Sequence, residues 1–341
     1  MTLKAKPNIA IVGATGAVGQ ELLTLLHERA FAHGDIRLFA SPRSSGRTVD
    51  YRGTRRPVHP LTGQSFEDID LAWFSAGASV SRQWAPRAAE AGALVIDNSS
   101  AFRMEPEIPL VIPEVNPQAL ALSDRRIFAV PNCSTIIALM AVTPLHRAAG
   151  VRRMVISTYQ AISGAGAACM EELQQQARDY AAGRPYTTTA IGRQCLFNLY
   201  SHDTAIGPDG SNVEESKIVE ETRKIWADDT VAITATCVRV PVLRSHCESI
   251  NLTFRRPLSE HDARRLLSDS PGVRIVDDRA ANKFPEPVDA AGRDEILVGR
   301  IRPDPSQPPG LGLNLFVSGD QLRKGAALNA IQIAECLRIA G

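Results

Sequence analysis

Short apolar runs alternate with amphipathic segments through the first 150 residues of the chain. Each run has four to six largely apolar residues between turn residues, which is the pattern of a buried strand; the runs span residues 8–12, 35–40, 71–75, 94–97 and 126–130. Leucines at helical spacing follow the first run, from Leu22 to Leu26, and another helical segment ends near Ala91. Strands that alternate with helices predict an α/β domain with a doubly wound parallel sheet.

The pattern changes after residue 150, where strands outnumber helices. Further strands are predicted at residues 151–159, 231–240, 249–254, 296–301 and 311–317. A helix is expected over 169–182, and Asn212 with Glu215 predicts a capping box that opens a helix ending near Trp226. These elements predict a second α+β domain with a mixed, largely antiparallel sheet. The last helix, over 324–339, is expected to return to the first domain, so we place the domains at 1–131 with 322–341 and at 132–321.

A glycine-rich turn, Gly13-Ala14-Thr15-Gly16-Ala17-Val18-Gly19, joins the first strand to the first helix. Strand, glycine turn and helix N-terminus in this order are typical of a Rossmann-type pyrophosphate site, because the glycines allow a tight turn and the helix end faces the phosphates. The spacing is G-x-x-G-x-x-G, with Thr15 where the commoner fingerprint has glycine. The alternative is an ordinary glycine-rich turn between a strand and a helix.

The second strand runs into Ser41-Pro42-Arg43-Ser44-Ser45-Gly46, a segment without a carboxylate. An NAD site usually places Asp or Glu here to bind the ribose 2′-hydroxyl. An arginine flanked by hydroxyl groups suits a 2′-phosphate instead, since a guanidinium pairs with two phosphate oxygens. The segment therefore favours NADP over NAD; the alternative is a solvent-exposed turn.

Cys133 stands where the strand at 126–130 gives way, through Pro131, to an apolar helical run. Ser134 and Thr135 are good N-cap residues and predict the helix start at this point. A helix N-terminus favours a thiolate, the nucleophilic form of cysteine, and its N–H groups can bind an oxyanion. The alternative is a small buried hydrophobic residue, which a lone cysteine is more often.

Four charged residues and one histidine stand out on other elements. Arg103 follows the strand at 94–97 and can bind an anion, with a surface salt bridge as the alternative. Glu214 and Lys217 share a helix face, with an exposed ion pair as the alternative. Arg239 is the only charge in an apolar strand, so it must be paired or face a ligand. His246 follows it closely and can exchange protons with a thiol or an adjacent oxygen.

Composition limits the function classes. The 341 residues are 44% hydrophobic and 22% charged with a net charge of +1, which predicts a globular protein without a nucleic-acid or membrane partner. The six cysteines include no C-x-x-C pair and no zinc-type spacing, so we expect no metal site, free thiols and a cytoplasmic location. The N-terminus shows no signal-peptide pattern.

Taken together, the motifs resemble the aspartate-β-semialdehyde dehydrogenase family over nearly the whole chain. The resemblance rests on segments that occur in the family's order: 13–19, 41–46, 97–103, 131–135, 157–166, 214–217, 239–248 and 318–327. It implies an NADP-dependent enzyme that acts as a homodimer or a dimer of dimers. Its reaction would be the reductive dephosphorylation of L-4-aspartyl phosphate to L-aspartate 4-semialdehyde, in the biosynthesis of lysine (through diaminopimelate), threonine, methionine and isoleucine.

The resemblance also implies residue roles. Cys133 matches the nucleophile that forms an acyl-thioester, His246 the acid/base, and Gln160 the residue that orients the acyl group. Substrate contacts are implied for Arg103, Asn132, Gln160, Glu214, Lys217 and Arg239, with Arg239 on the α-carboxylate, Glu214 on the amino group, and Arg103 and Lys217 on phosphate. Cofactor contacts are implied for Gly13, Thr15, Gly16, Ala17, Val18, Ser41, Arg43, Ser44, Ser75, Gly77, Ser163, Gly164 and Gln321. Gln321 departs from the Asn usual in the family.

Two alternatives remain open at this stage. One is a related acyl-phosphate reductase, such as one that acts on N-acetylglutamyl phosphate; the match of Glu214 to a residue that binds a free amino group argues against it. The other is a non-catalytic NADP-binding paralogue, against which stand the four matched residues Cys133, Gln160, Arg239 and His246.

Overall fold

The structure is a computed structural model that describes residues 3–44, 46–121 and 126–339, without the side chains of Arg43 and Ile339. The chain forms two compact units, residues 1–132 with 326–341 and residues 133–325. The sequence-based division at 131 and 322 differs from these limits by one residue and by four.

The first unit contains a seven-stranded sheet in the order β3-β4-β2-β1-β5-β6-β7. Its elements are β1 (Ile9–Val12), α1 (Ala17–Glu28), β2 (Ile36–Phe39), β3 (Thr48–Tyr51), β4 (Thr54–His59), β5 (Leu71–Phe74), α2 (Ala78–Glu90), β6 (Leu94–Asp97) and β7 (Ile127–Ala129). All strand pairs are parallel except β3 with β4. The predicted parallel α/β sheet is confirmed, and β1, β5 and β6 are buried along their whole length, as strands covered on both faces must be.

The hairpin of β3 and β4 was not predicted. The two strands carry mostly exposed polar residues, so they lack the apolar run that marks the inner strands. Arg52 and Gly53 connect them with φ values of 54° and 73°, which is the backbone of a two-residue hairpin turn. Turn geometry and the edge position, rather than hydrophobicity, define this hairpin.

The second unit contains a seven-stranded mixed sheet in the order β12-β13-β14-β11-β8-β10-β9. Its elements are α3 (Cys133–Ala149), β8 (Val151–Gln160), α4 (Ala167–Ala181), β9 (Tyr200–Ser201), α5 (Val213–Trp226), β10 (Ala232–Arg239), β11 (His246–Phe254), α6 (Glu260–Ser268), β12 (Val273–Ile275), α7 (Pro287–Ala290), β13 (Ile296–Pro303) and β14 (Gly312–Gly319). The helix α8 (Leu328–Ile339) follows β14 and belongs to the first unit.

Helix α3 packs against β8, β11, β13 and β14 and is buried along most of its length. Side chains alternate between the two faces of a strand, so β8 turns Ile156, Thr158 and Gln160 into the buried face. His246 and Glu248 of β11 are buried as well. Polar side chains therefore line the buried face beside the start of α3.

Two sequence-based helix and strand starts were wrong. α3 begins at Cys133, so Ser134 and Thr135 lie in its first turn and do not precede it. β11 begins at His246 and not at residue 249. Its first residues include the polar His246 and Glu248, so the apolar run that marks a strand begins later than the strand itself. At the last helix, a π-helical turn at Arg323–Ala327 leads directly into α8, so helical structure starts one residue before the predicted residue 324.

No helix in the described ranges combines the length and the apolar character needed to cross a membrane.

Candidate active site

The glycine turn of the first unit is built for close backbone approach. Gly13 has φ +95°, and a Cβ there would lie 2.5 Å from the carbonyl oxygen of Ser75 at the end of β5. A Cβ at Gly19 would overlap the carbonyl oxygen of Gly13. Helix α1 starts directly after Gly16 with no side-chain cap and no acidic residue in its first turn. The N–H groups at the start of α1 therefore have no side-chain cap and can bind a pyrophosphate. The residues around them are Thr15, Gly16, Ala17 and Val18.

Other predicted cofactor residues of this unit follow strand ends. Ser41 precedes a 3₁₀ turn after β2 and Ser44 is its last residue; Ser44 N–H donates to the Ser41 carbonyl over 2.8 Å. The Arg43 side chain and Ser45 lie outside the described part of the chain. Gly77 precedes α2 with φ +90°. These positions suit the cofactor contacts predicted for them, and the 2′-phosphate contact of Arg43 stays a prediction.

Arg103 and Asn132 are buried residues of the first unit. Arg103 is only 8% exposed and donates from Nη2 to the Asn98 carbonyl over 2.9 Å, and its contact with an anion stays a prediction. The nearby carboxyl of Asp97 accepts from the hydroxyls of Ser81 and Ser99, both at 2.7 Å. Burial raises the pKa of Asp97 in spite of these bonds and the positive charge of Arg103.

Cys133 is the first residue of α3 and is half-buried. The backbone of Gly325 approaches it so closely that a Cβ at position 325 would lie 3.0 Å from the Cys133 Cβ. Gly325 sits in the π-helical turn that precedes α8. Sequence reasoning missed this glycine as a site residue, although it stands within a matched motif.

A chain of hydrogen bonds leads from α3 to α5. Gln160 Nε2 donates to Ser134 Oγ over 2.6 Å and to Glu214 Oε1 over 3.1 Å. Glu214 Oε2 in turn lies 3.1 Å from Lys217 Nζ. The side chains of Glu214 and Lys217 are only 6% and 25% exposed, so the alternative of an exposed ion pair is wrong. The predicted capping box of α5 is confirmed, with both bonds between Asn212 and Glu215 at 2.9 Å.

Arg239 ends β10 with its side chain 5% exposed. Its Nη1 donates to the Ala161 carbonyl over 3.2 Å, and its Nε lies 3.5 Å from Asp203 Oδ1. A Cβ at Gly164 would lie 2.8 Å from Nη1 and 3.4 Å from His246 Nε2. The guanidinium and the imidazole therefore occupy the space where a side chain at position 164 would lie, which brings three predicted site residues close together.

His246 is fully buried, and its ring has a defined tautomer. The backbone N–H of Ala161 donates to Nδ1 over 2.9 Å, so the proton of the neutral ring is on Nε2. Nε2 has no hydrogen-bond partner among the described residues. Burial and, next, the charge of Arg239 lower the pKa of His246 to about 3. In this state the ring donates from Nε2 but cannot accept a proton there from a thiol.

Gln321 has both ends of its amide engaged within the second unit. Its Oε1 accepts from Ser245 N–H over 2.8 Å, and its Nε2 donates to Ser163 Oγ. Ser163 and Gly164 form a 3₁₀ turn at Ile162–Ala165, and Ser245 precedes His246. The Gln321 amide thus links that turn to the start of β11. A hydrogen bond from Gln321 to the cofactor would have to be made in addition to these two bonds or replace one of them.

Two site residues were missed because they lie in a segment without periodicity. The sequence pattern places His202 on a helix or turn and does not single out Asp203. The short strand β9 pairs with β10 and brings both residues to Arg239. No local signal in the sequence predicts this pairing.

Comparison with known proteins gives consistent matches over both units. Residues 8–123 match the family model described as semialdehyde dehydrogenase, NAD binding domain, and residues 142–324 match the semialdehyde dehydrogenase dimerisation domain. An aspartate-semialdehyde dehydrogenase from Synechocystis sp. is 49% identical over 329 residues, which cover 96% of each chain. One from Aquifex aeolicus is 45% identical over 332 residues, 96% of this chain and 97% of that protein. The crystal structure of aspartate semialdehyde dehydrogenase II from Vibrio cholerae, complexed with ASA, matches with a TM-score of 0.92 at 42% identity over 98% of both chains. The chain therefore belongs to the aspartate-semialdehyde dehydrogenase family.

Proposed function

We propose that this chain reduces L-4-aspartyl phosphate to L-aspartate 4-semialdehyde with NADPH, through an acyl-thioester on Cys133. The relatives that share 45–49% identity carry the name of this activity. The Vibrio cholerae enzyme of known structure is complexed with ASA. The observation that carries the proposal is the Gln160 amide, which joins Ser134, next to Cys133, to Glu214.

Cys133 acts as the nucleophile. Its thiolate forms a bond to the acyl carbon of the substrate, and the bond to phosphate breaks with inorganic phosphate as the leaving group. Reduced nicotinamide, when bound, supplies the hydride that reduces the thioester. Collapse of the resulting hemithioacetal releases the aldehyde and regenerates the thiolate. Covalent catalysis divides one difficult reduction into two easier steps.

His246 stabilises the negative oxygen of the reaction by a hydrogen bond. Because Ala161 N–H holds Nδ1, the ring presents its proton at Nε2, next to Gly164. From Nε2 the neutral ring donates a hydrogen bond to the oxygen that becomes negative when the thioester is reduced, and this bond stabilises the oxyanion until it collapses to the aldehyde with loss of the Cys133 thiolate. The neutral ring does not repel Arg239, which needs its positive charge for the substrate.

The charged residues bind the two ends of the substrate. Arg239 holds the α-carboxylate and Glu214 the α-amino group. Lys217 and Arg103 bind the phosphate. Gln160 orients the acyl group with Oε1, which has no partner in the described part of the chain, while Ser134 and Glu214 fix its Nε2. Asn132 supplies a further substrate contact.

The cofactor is NADP rather than NAD. The turn from Gly13 to Val18 would hold its pyrophosphate, and Ser41, Arg43 and Ser44 would hold its 2′-phosphate, since the segment after β2 has no carboxylate. Ser75, Gly77, Ser163, Gly164 and Gln321 complete the contacts.

The chain works as a homodimer or tetramer in amino-acid biosynthesis in the cytoplasm. The match of residues 142–324 to a dimerisation domain supports self-association. The second unit also exposes large apolar side chains, as a contact surface would; they include Tyr180, Phe197, Leu199 and Ile206. Free thiols at Cys169, Cys195, Cys237 and Cys247 fit a reducing compartment.

The experiment is a spectrophotometric assay of NADPH formation from aspartate semialdehyde and NADP⁺, with and without inorganic phosphate. The proposal expects formation that depends on phosphate and is much weaker with NAD⁺. Activity with N-acetylglutamate semialdehyde alone, or no activity with either aldehyde, would refute the substrate assignment.

A further inference from the structure

We propose that Asp203 is a specificity-determining residue that makes the site select a substrate with a free α-amino group. The proposal rests on the proposed function, in which Arg239 holds the substrate carboxylate. It concerns the segment from His202 to Thr204, which follows β9 and contacts the substrate-binding residues on two sides.

Strand pairing fixes the segment beside Arg239. Tyr200 of β9 is opposite Arg239 of β10, and His202 N–H donates to the Cys237 carbonyl over 2.9 Å. Asp203 Oδ1 then lies 3.5 Å from Arg239 Nε. This Nε makes no hydrogen bond in the described part of the chain, although the Arg239 side chain is only 5% exposed. The guanidinium therefore has an ion pair on one edge and remains available for a ligand.

The other side of the segment contacts α5. Thr204 Oγ1 accepts from the backbone N–H of Glu214 over 3.2 Å. The segment thus bridges Arg239 and the first turn of α5, the two places that bind the carboxylate and the amino group in the proposed reaction. Asp203 contributes the carboxylate of this bridge, and its side chain is 39% exposed.

The charges of the site explain why a second carboxylate matters. Glu214 already faces two donors, Gln160 Nε2 and Lys217 Nζ, so its charge is partly balanced before an ammonium group arrives. Asp203 adds negative charge next to Arg239. His202 adds none of the opposite sign, since burial and then Arg239 lower its pKa to about 4. Arg239 with Asp203 suits a zwitterion better than it suits a simple anion.

The test compares aspartate semialdehyde with its deamino analogue, succinate semialdehyde, which differs only in the amino group. In Asp203→Asn we expect the KM for aspartate semialdehyde to rise about fivefold, as for loss of a partly screened charge pair, while kcat changes by less than about twofold. For succinate semialdehyde the KM should stay constant or fall; where this analogue does not turn over, its inhibition constant against aspartate semialdehyde takes the place of the KM. A change in shape alone would affect both compounds, because both carry the carboxylate.

Two further variants complete the design. Asp209→Asn removes the same charge from the same loop, where Asp209 accepts from the backbone N–H of Ser211, and should leave both constants unchanged. Asp203→Glu keeps the charge and should restore most of the preference. An unchanged KM for aspartate semialdehyde in Asp203→Asn, or an equal loss on both compounds, overturns the inference. Failure of the proposed function is distinguishable, because the unmodified protein would then be inactive with aspartate semialdehyde.

Discussion

Replacing Glu248 by glutamine should stabilise the protein increasingly as the pH rises. Glu248 is 0% exposed, and neither carboxyl oxygen has a hydrogen-bond partner among the described residues. It lies in the middle of the sheet, opposite Thr158 of β8 and Val317 of β14. Burial raises the pKa of this carboxyl well above its usual value, so the folded chain keeps the proton.

The size of the effect follows from the unfolded chain, where a glutamic acid has a pKa of about 4.3. Below that pH both states carry the proton, and Glu248 does not affect stability. Above it the unfolded chain loses the proton while the folded chain keeps it, so the free energy of unfolding falls by about 1.4 kcal/mol per pH unit until the pH reaches the folded-state pKa. Glutamine has the same shape and does not titrate. If burying the glutamine amide destabilises the fold, it does so equally at every pH, so the plot of unfolding free energy against pH is displaced but keeps its slope.

The assay is urea unfolding of the whole chain and of Glu248→Gln at matched protein concentration. From about pH 5.5 up to the folded-state pKa, the difference in unfolding free energy should change by about 1.4 kcal/mol per pH unit in favour of the variant. Glu220→Gln, on the exposed side of α5, is the control and should show no such trend. A difference that is independent of pH would mean that Glu248 is ionised in the fold, and would refute the reasoning.

Three further predictions concern the site. Cys133→Ala should abolish turnover and leave NADP binding unchanged by fluorescence titration, because only the nucleophile is lost; substantial activity would contradict the thioester. Gly164→Ala should raise the KM for aspartate semialdehyde about tenfold with little loss of stability, since the new Cβ would lie 2.8 Å from Arg239 Nη1 and displace the guanidinium. An unchanged KM would show that the Arg239 guanidinium does not bind the substrate. In ¹⁵N-labelled protein, the His246 ring should remain neutral and protonated on Nε2 by NMR at about pH 5, because its pKa is held at about 3; a charged ring at that pH would contradict the assignment.

The amino-acid sequence by itself determined the parallel sheet of the first unit, the mixed sheet of the second and the family. Buried strands such as β1 and β5 are runs of apolar residues, and the capping box of Asn212 and Glu215 is a local pattern, so both can be recognised without tertiary contacts. The predicted roles of Cys133, Gln160, Arg239 and His246 came from matched motifs and stay predictions.

Only the tertiary structure decided which polar atoms face each other. The pairing of β9 with β10 brings Asp203 to Arg239, although the two residues are far apart in the chain and no local signal links them. The bond from Ala161 N–H selects the tautomer of His246, and the start of β11 places Glu248 in the sheet interior. Periodicity reports which residues are buried, but the partner of a buried polar group depends on strand pairing between distant segments. Proton positions and shifted pKa values therefore follow from the fold and not from the sequence pattern.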